Sequence, residues 1–158
     1  MINSLTGLVH LLAALASLVI GTLVLLLAKG TRAHRMWGYL YFYSMLMVNA
    51  SAFMLYGLFG SFGPFHVAAL ISFSTLVAGI VPAVRRKPAG KWPMYHFTFM
   101  YFSVIGLYAA FASEILTRIP ESPFFTMVVA ASTAITVGGT IIFQRLRPKW
   151  SRQFNKMG

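Results

Sequence analysis

Residues 4–28 read SLTGLVHLLAALASLVIGTLVLLLA, and residues 29–35 continue KGTRAHR. The first stretch carries no charged residue, and a helix needs only about 20 apolar residues to cross a hydrocarbon core of about 30 Å. Its cations follow it and none precedes it, so it reads as a retained helix with its C-terminal end held on the cationic side, not as a signal peptide. Four more apolar stretches follow, at 36–59, 64–84, 92–116 and 123–143. The chain of 158 residues is 58% hydrophobic and 9% charged, with a mean hydropathy of +0.75. A soluble domain of this length needs far more charge on its surface. The sequence therefore predicts an all-α integral membrane protein with five transmembrane helices in a single domain.

The predicted connections, 29–35, 60–63, 85–91 and 117–122, are short, which sets successive helices side by side and antiparallel. The expected architecture is an up-and-down four-helix core with a peripheral fifth helix and a basic tail at 144–158. With 13 Lys and Arg against 2 acidic residues the net charge is +11. Its placement argues against nucleic acid. Twelve cations lie in the 29–35 and 85–91 loops or the tail, leaving Arg118 on the other side. By the positive-inside rule the N-terminus is outside and the C-terminus cytoplasmic. The lipid bilayer is the expected partner, with the tail against anionic head groups. Trp37, Trp92 and Trp150 fall at the inner boundary, as an aromatic belt does.

There is no Cys, which removes disulfides, thiolate metal sites, iron–sulfur clusters and covalently attached haem. Attention falls on histidine. His10, His34, His66 and His96 fall in or beside four consecutive segments, at alternating ends. His10 and His66 share the outer level, and His34 and His96 the inner one. In a cyclic four-helix arrangement the first and third helices are diagonal, as are the second and fourth. Each pair then offers two imidazoles to a flat macrocycle. One or two b-type haems bound by His10/His66 and His34/His96 would make this a redox or electron-transfer protein, with a redox partner or quinone at either end. Arg32, Arg35 and Lys91 offer cations for propionates at the inner level.

The surrounding faces point the same way. Gly7, His10, Ala14, Ser17 and Gly21 form a small-residue stripe along the first helix. His34, Gly38 and Tyr41 share a face of the second. His96, Met100, Ser103, Leu107, Ala110 and Glu114 share a face of the fourth. Eighteen residues make five turns, so Glu114 lies roughly 27 Å from His96 on the same side, at the outer level. His10, His66 and Glu114 are thus three potential ligands for a divalent ion such as zinc, or a proton-dependent site for hydrolysis or transport. Arg118, one turn on, is a candidate ion-pair partner for Glu114, while Glu121 suits a helix start beside Ser122 and Pro123. Asn49 and Ser51 are candidate interhelical hydrogen-bond partners.

Plainer readings stand beside these. A single histidine near a helix end is often only hydrogen-bonded to backbone or water, and His34, within TRAHR, sits almost in a loop. The chain is also readable as an accessory or assembly subunit of a larger membrane complex, with structural histidines and a fifth helix that docks.

Three segments carry a resemblance: KGTRAHRMWGYLYFYSML, GPFHVAALISF and HFTFMYFSVIGLYAAFASE. Together they resemble the bacterial membrane-protein family catalogued as domain of unknown function 2306, from His10 to at least Arg118. The H-R-x-x-G element at His34, Arg35 and Gly38 is its most recognisable piece. The resemblance implies a multi-pass protein of the bacterial inner membrane. More loosely, the H-R-x-x-G helix start is similar to haem A synthases, and the diagonal ligand pairs to transmembrane di-haem b-type cytochromes, a likeness of architecture alone.

Overall fold

The computed structural model describes residues 4–55, 60–117 and 123–154, apart from the side chain of Gln153. Among these residues there are five helices and no strand: α1 (Leu5–Leu26), α2 (Arg32–Ala52), α3 (Pro64–Arg85), α4 (Trp92–Leu116) and α5 (Phe124–Phe154). α1, α3, α4 and the Phe124–Arg152 part of α5 are long and apolar enough to cross a membrane. The all-α membrane class stands. α2 has 21 residues and is less apolar than these four. Arg32, His34 and Arg35 open it, and Tyr41, Ser44, Asn49 and Ser51 interrupt its apolar surface. The chain divides into two compact units, Met1–Val77 and Ala78–Gly158, with the boundary inside α3.

In the first unit α1 packs on α2. Ser4 caps α1 by accepting the Gly7 N–H at 3.1 Å, which satisfies one of the orphan donors of a first turn. At the other end the Lys29 ammonium donates to the Val24, Leu25 and Leu27 carbonyls at 3.0, 2.7 and 3.2 Å. Gly30, at φ 80°, supplies the left-handed step of the turn. Thr31 then caps α2 by accepting the His34 N–H at 3.1 Å. α2 therefore starts at Arg32, not at the predicted Met36, because a cap starts a helix whether or not its first turn is apolar. It ends at Ala52, with Phe53 as its C-cap, short of the predicted Phe59, which itself lies outside the described residues.

The α1–α2 seam is bolted by two polar contacts. His10 Nδ1 meets Ser51 Oγ at 2.9 Å, and Ser17 Oγ donates to Ser44 Oγ at 2.9 Å. Moving one heptad along α1 moves one heptad back along α2, as an antiparallel pair in constant register must. Gly7, Ser17, Leu18, Gly21 and Val24 bury against this seam, opposite Tyr41, Met45, Val48, Asn49 and Ser51. The small-residue stripe is thus where α2 approaches.

The second unit holds the end of α3 with α4 and α5. α4 occupies the predicted 92–116 span. α5 runs on past the predicted end at Phe143 to Phe154, through Pro148. At 31 residues it is about 46 Å long, longer than a hydrocarbon core of about 30 Å. Membrane thickness limits the apolar part of a helix and not the helix itself. The extension is also held: the ring of Phe97 on α4 lies 4.6 Å from Trp150 and 5.2 Å from Phe154, and Phe143 lies 5.3 Å from Tyr101. Aromatic pairs at such separations add about 0.5–1.5 kcal/mol beyond the area they bury. Higher up, a methyl group on Gly139 would lie 2.8 Å from Ile105 Cγ2, and Tyr101 Oη donates to the Gly139 carbonyl at 2.9 Å. Glycine there lets α4 and α5 close on each other. The expected peripheral helix is a full packing partner of α4.

Candidate functional site

His96 is the most firmly placed of the four histidines. It projects from the first turns of α4, and its Nδ1 lies 2.8 Å from the carbonyl oxygen of Gly79 on α3. A carbonyl oxygen can only accept, so Nδ1 carries the proton, and a neutral ring keeps its lone pair on Nε2. A histidine whose Nδ1–H is held by a backbone carbonyl is the arrangement that orients an imidazole for Nε2 ligation. Sequence explains why Gly79 can serve. A Cβ at this position would meet Met100 Sδ at 2.6 Å and Met100 N at 3.3 Å, so only glycine allows α3 and α4 to come this close. Pro82, inside the same helix, removes the N–H that the Ala78 carbonyl would normally receive.

His10 is partly exposed and set in the same sense. Ser51 Oγ donates to the Met47 and Val48 carbonyls at 2.7 and 3.0 Å. When the hydroxyl hydrogen is given to either carbonyl, the Ser51 lone pair accepts Nδ1–H from His10, the tautomer with its lone pair on Nε2. Ser51 is 4% exposed, which removes competing water from this contact. Asn49, its companion among the residues expected to bridge helices, instead turns Nδ2 back to the Met45 carbonyl at 2.8 Å.

His66 is set the opposite way. The Gly63 N–H donates to its Nδ1 at 3.1 Å, so a neutral ring carries its proton on Nε2. Gly63 precedes α3, Pro64 opens it, and His66 is its third residue. A side chain at this position that accepts the cap residue's own N–H performs the reciprocal half of a capping box, the place usually held by Glu or Gln. The ring stacks on Phe62 with centroids 5.0 Å apart, lies 6.4 Å from Phe53, and is 2% exposed. Ligation through Nε2 would require this ring to give up its cap. The plain reading, a histidine tied to backbone at a helix end, accounts for every contact described above.

His34 lies inside the first turn of α2, half-buried, and not in a loop. It and His96 belong to different units. Glu114 is half-buried on α4, and its backbone carbonyl accepts from Thr117 Oγ1 at 3.2 Å. Arg118, its expected partner, lies outside the described residues, as do Glu121, Ser122 and Lys156. Among the described residues no group of three or more His, Cys, Asp and Glu side chains is arranged to hold a metal ion. The expected set of His10, His66 and Glu114 is therefore not found as a group. His66 Nδ1 is committed to the Gly63 N–H, and Glu114 belongs to the other unit.

Sequence reasoning missed Gly79 and Gly63, the backbone partners of two histidines. The signal for Gly79 was present, since a glycine inside an otherwise apolar helix marks a close approach. A family model described as Predicted membrane protein (DUF2306) matches residues 7–154. No curated protein and no solved structure matches the chain.

Proposed function

The chain belongs to this family of predicted membrane proteins, and we propose that it is a redox protein of the membrane that binds b-type haem, with His96 a ligand in one unit and His10 a ligand in the other. One observation carries the proposal. His96 Nδ1 donates to the Gly79 carbonyl at 2.8 Å, which fixes the orientation of the ring and the tautomer that carries its lone pair on Nε2, the form in which histidine ligates. His10 on Ser51 repeats the arrangement in the other unit. Haem, when bound, supplies a one-electron carrier. The protein's part is to hold the imidazoles and to surround them with α4's Met100 and the small residues of α1. Electrons would be exchanged with a quinone or a partner protein.

The spectrum of protein purified after expression with ample haem tests this directly. A Soret band is expected, reduced by about half in His96→Ala and in His10→Ala and lost when both are changed. His66→Ala is expected to retain it, because His66 is held as a helix cap. No Soret band in the wild type, or one indifferent to His96→Ala and His10→Ala, overturns the proposal.

We place the chain in a bacterial inner membrane with its N-terminus outside. The cationic segments 29–35, 85–91 and 144–158 share one side only if α2 crosses. Its polar groups are compatible with crossing because Ser44, Asn49 and Ser51 are bonded within the protein. The chain has no Cys, so single cysteines at Gly30 and Ser61 can be labelled from either side. Labelling of both from the same face refutes the orientation.

A further inference from the structure

The end of the second unit where α4 begins gathers cations from two segments. Arg85, Arg86, Lys87 and Lys91 precede α4 and are exposed. Arg145, Arg147, Lys149 and Arg152 lie exposed on the last turns of α5. The two sets meet at one end because Phe97, in the second turn of α4, holds Trp150 at 4.6 Å and Phe154 at 5.2 Å. The chain's acidic residues are Glu114 and Glu121. Glu114 lies 22 residues along α4 from Trp92, about 33 Å away, so it does not compensate this end.

We propose that these two segments together form a binding site for anionic phospholipid head groups. Charge complementarity is the first ground. The second is the apolar surface mixed with the charge: Val84 is 64% and Leu146 39% exposed, beside the cations and on helices apolar enough to cross a membrane. A phospholipid satisfies both, its phosphate taking the cations and its acyl chains covering Val84 and Leu146, whereas a soluble anion satisfies only the first. The aromatic clamp fixes the α5 extension against α4, so the site is pre-formed and its two halves act together.

The full chain in nanodiscs of phosphatidylcholine mixed with phosphatidylglycerol is the sample, and retained lipid measured by native mass spectrometry is the readout. Phosphatidylglycerol is expected to be enriched over its bulk fraction. Changing either set of four cations to Gln should lower the enrichment at least about tenfold. Helical content by circular dichroism shows that the variants fold. In the wild type alone the enrichment should fall as salt is raised. Equal retention of both lipids by the wild type overturns the proposal, as does enrichment that survives neutralisation of both sets. Displacement of the lipid by millimolar inorganic phosphate also overturns it, because the ligand would then be a soluble anion.

Discussion

His96 Nδ1 and the Gly79 carbonyl oxygen are 2.8 Å apart, and the absence of a side chain at Gly79 is what brings them there. A methyl group at that position would lie 2.6 Å from Met100 Sδ and 3.3 Å from Met100 N. The sulfur can swing aside, but the backbone nitrogen can yield only if α4 itself retreats. Overpacking of this kind costs about 1–3 kcal/mol, against about 1 kcal/mol of helix propensity gained by Ala over Gly. Gly79→Ala is therefore expected to lower the thermal midpoint in detergent. Adding Met100→Ala should recover less than the full loss, because it relieves the sulfur and not the nitrogen. Full recovery would mean that the backbone contact is immaterial.

The cap that His66 provides is separable from any ligand role by choice of substitution. Gln at the third helical position accepts the cap residue's N–H as well as histidine does, whereas Ala cannot. His66→Ala is expected to cost about 1–2 kcal/mol from the lost cap and the lost Phe62 stack. His66→Gln should retain most of the cap. Equal losses in unfolding measurements on the two variants would show that the Gly63 contact contributes nothing.

The two polar bolts of the α1–α2 seam lend themselves to double-mutant cycles. Interhelical hydrogen bonds within membranes average about 0.6 kcal/mol of coupling. Ser17→Ala and Ser44→Ala should couple by about that amount, since Ser44 keeps its own donation to the Tyr41 carbonyl at 2.9 Å. His10→Ala and Ser51→Ala should couple at least as strongly, the partner being nearly buried. If the seam has constant register, the couplings of the crossed pairs, Ser17 with Ser51 and His10 with Ser44, are close to zero.

How far the sequence was legible follows from what each feature depends on. α4 was read to its ends because apolarity begins and stops with the helix there. α2 was misjudged at both ends and α5 at one: Thr31 and the Trp150–Phe154 extension carry a helix through charged residues that no hydropathy window favours, while α2 stops at Ala52 although the apolar run goes on. The antiparallel α1–α2 pairing, the small-residue face and the candidacy of Ser51 were all within reach, since they depend on spacing along single helices. Histidine tautomers were not. Whether His66 or His96 has a basic Nε2 depends on a backbone partner supplied by the fold, Gly63 in one case and Gly79 in the other. Four residues that look equivalent in the chain thus separate by partner: His96 on the Gly79 carbonyl, His10 on Ser51, His66 on the Gly63 N–H, and His34 in the first turn of α2.

Lys29 makes the last prediction. It lies just beyond α1, where burial lowers the pKa of its ammonium from 10.5 to about 8, although the charged form donates to three carbonyls at that helix end. Between pH 8 and 10.5 the unfolded chain therefore holds a proton that the folded protein has largely released. Stability rises with pH wherever the unfolded state binds more protons, so this group makes the fold more stable as pH climbs through that window. Below it both states are charged and the desolvation penalty is fully present; above it both are neutral and the penalty is gone. Other groups titrate nearby, so the quantity to follow is the wild-type midpoint minus that of Lys29→Gln, measured from pH 7 to beyond the window. That difference should move in favour of the wild type as pH rises. A difference that stays level would place the Lys29 ammonium in an environment as wet as the unfolded chain's.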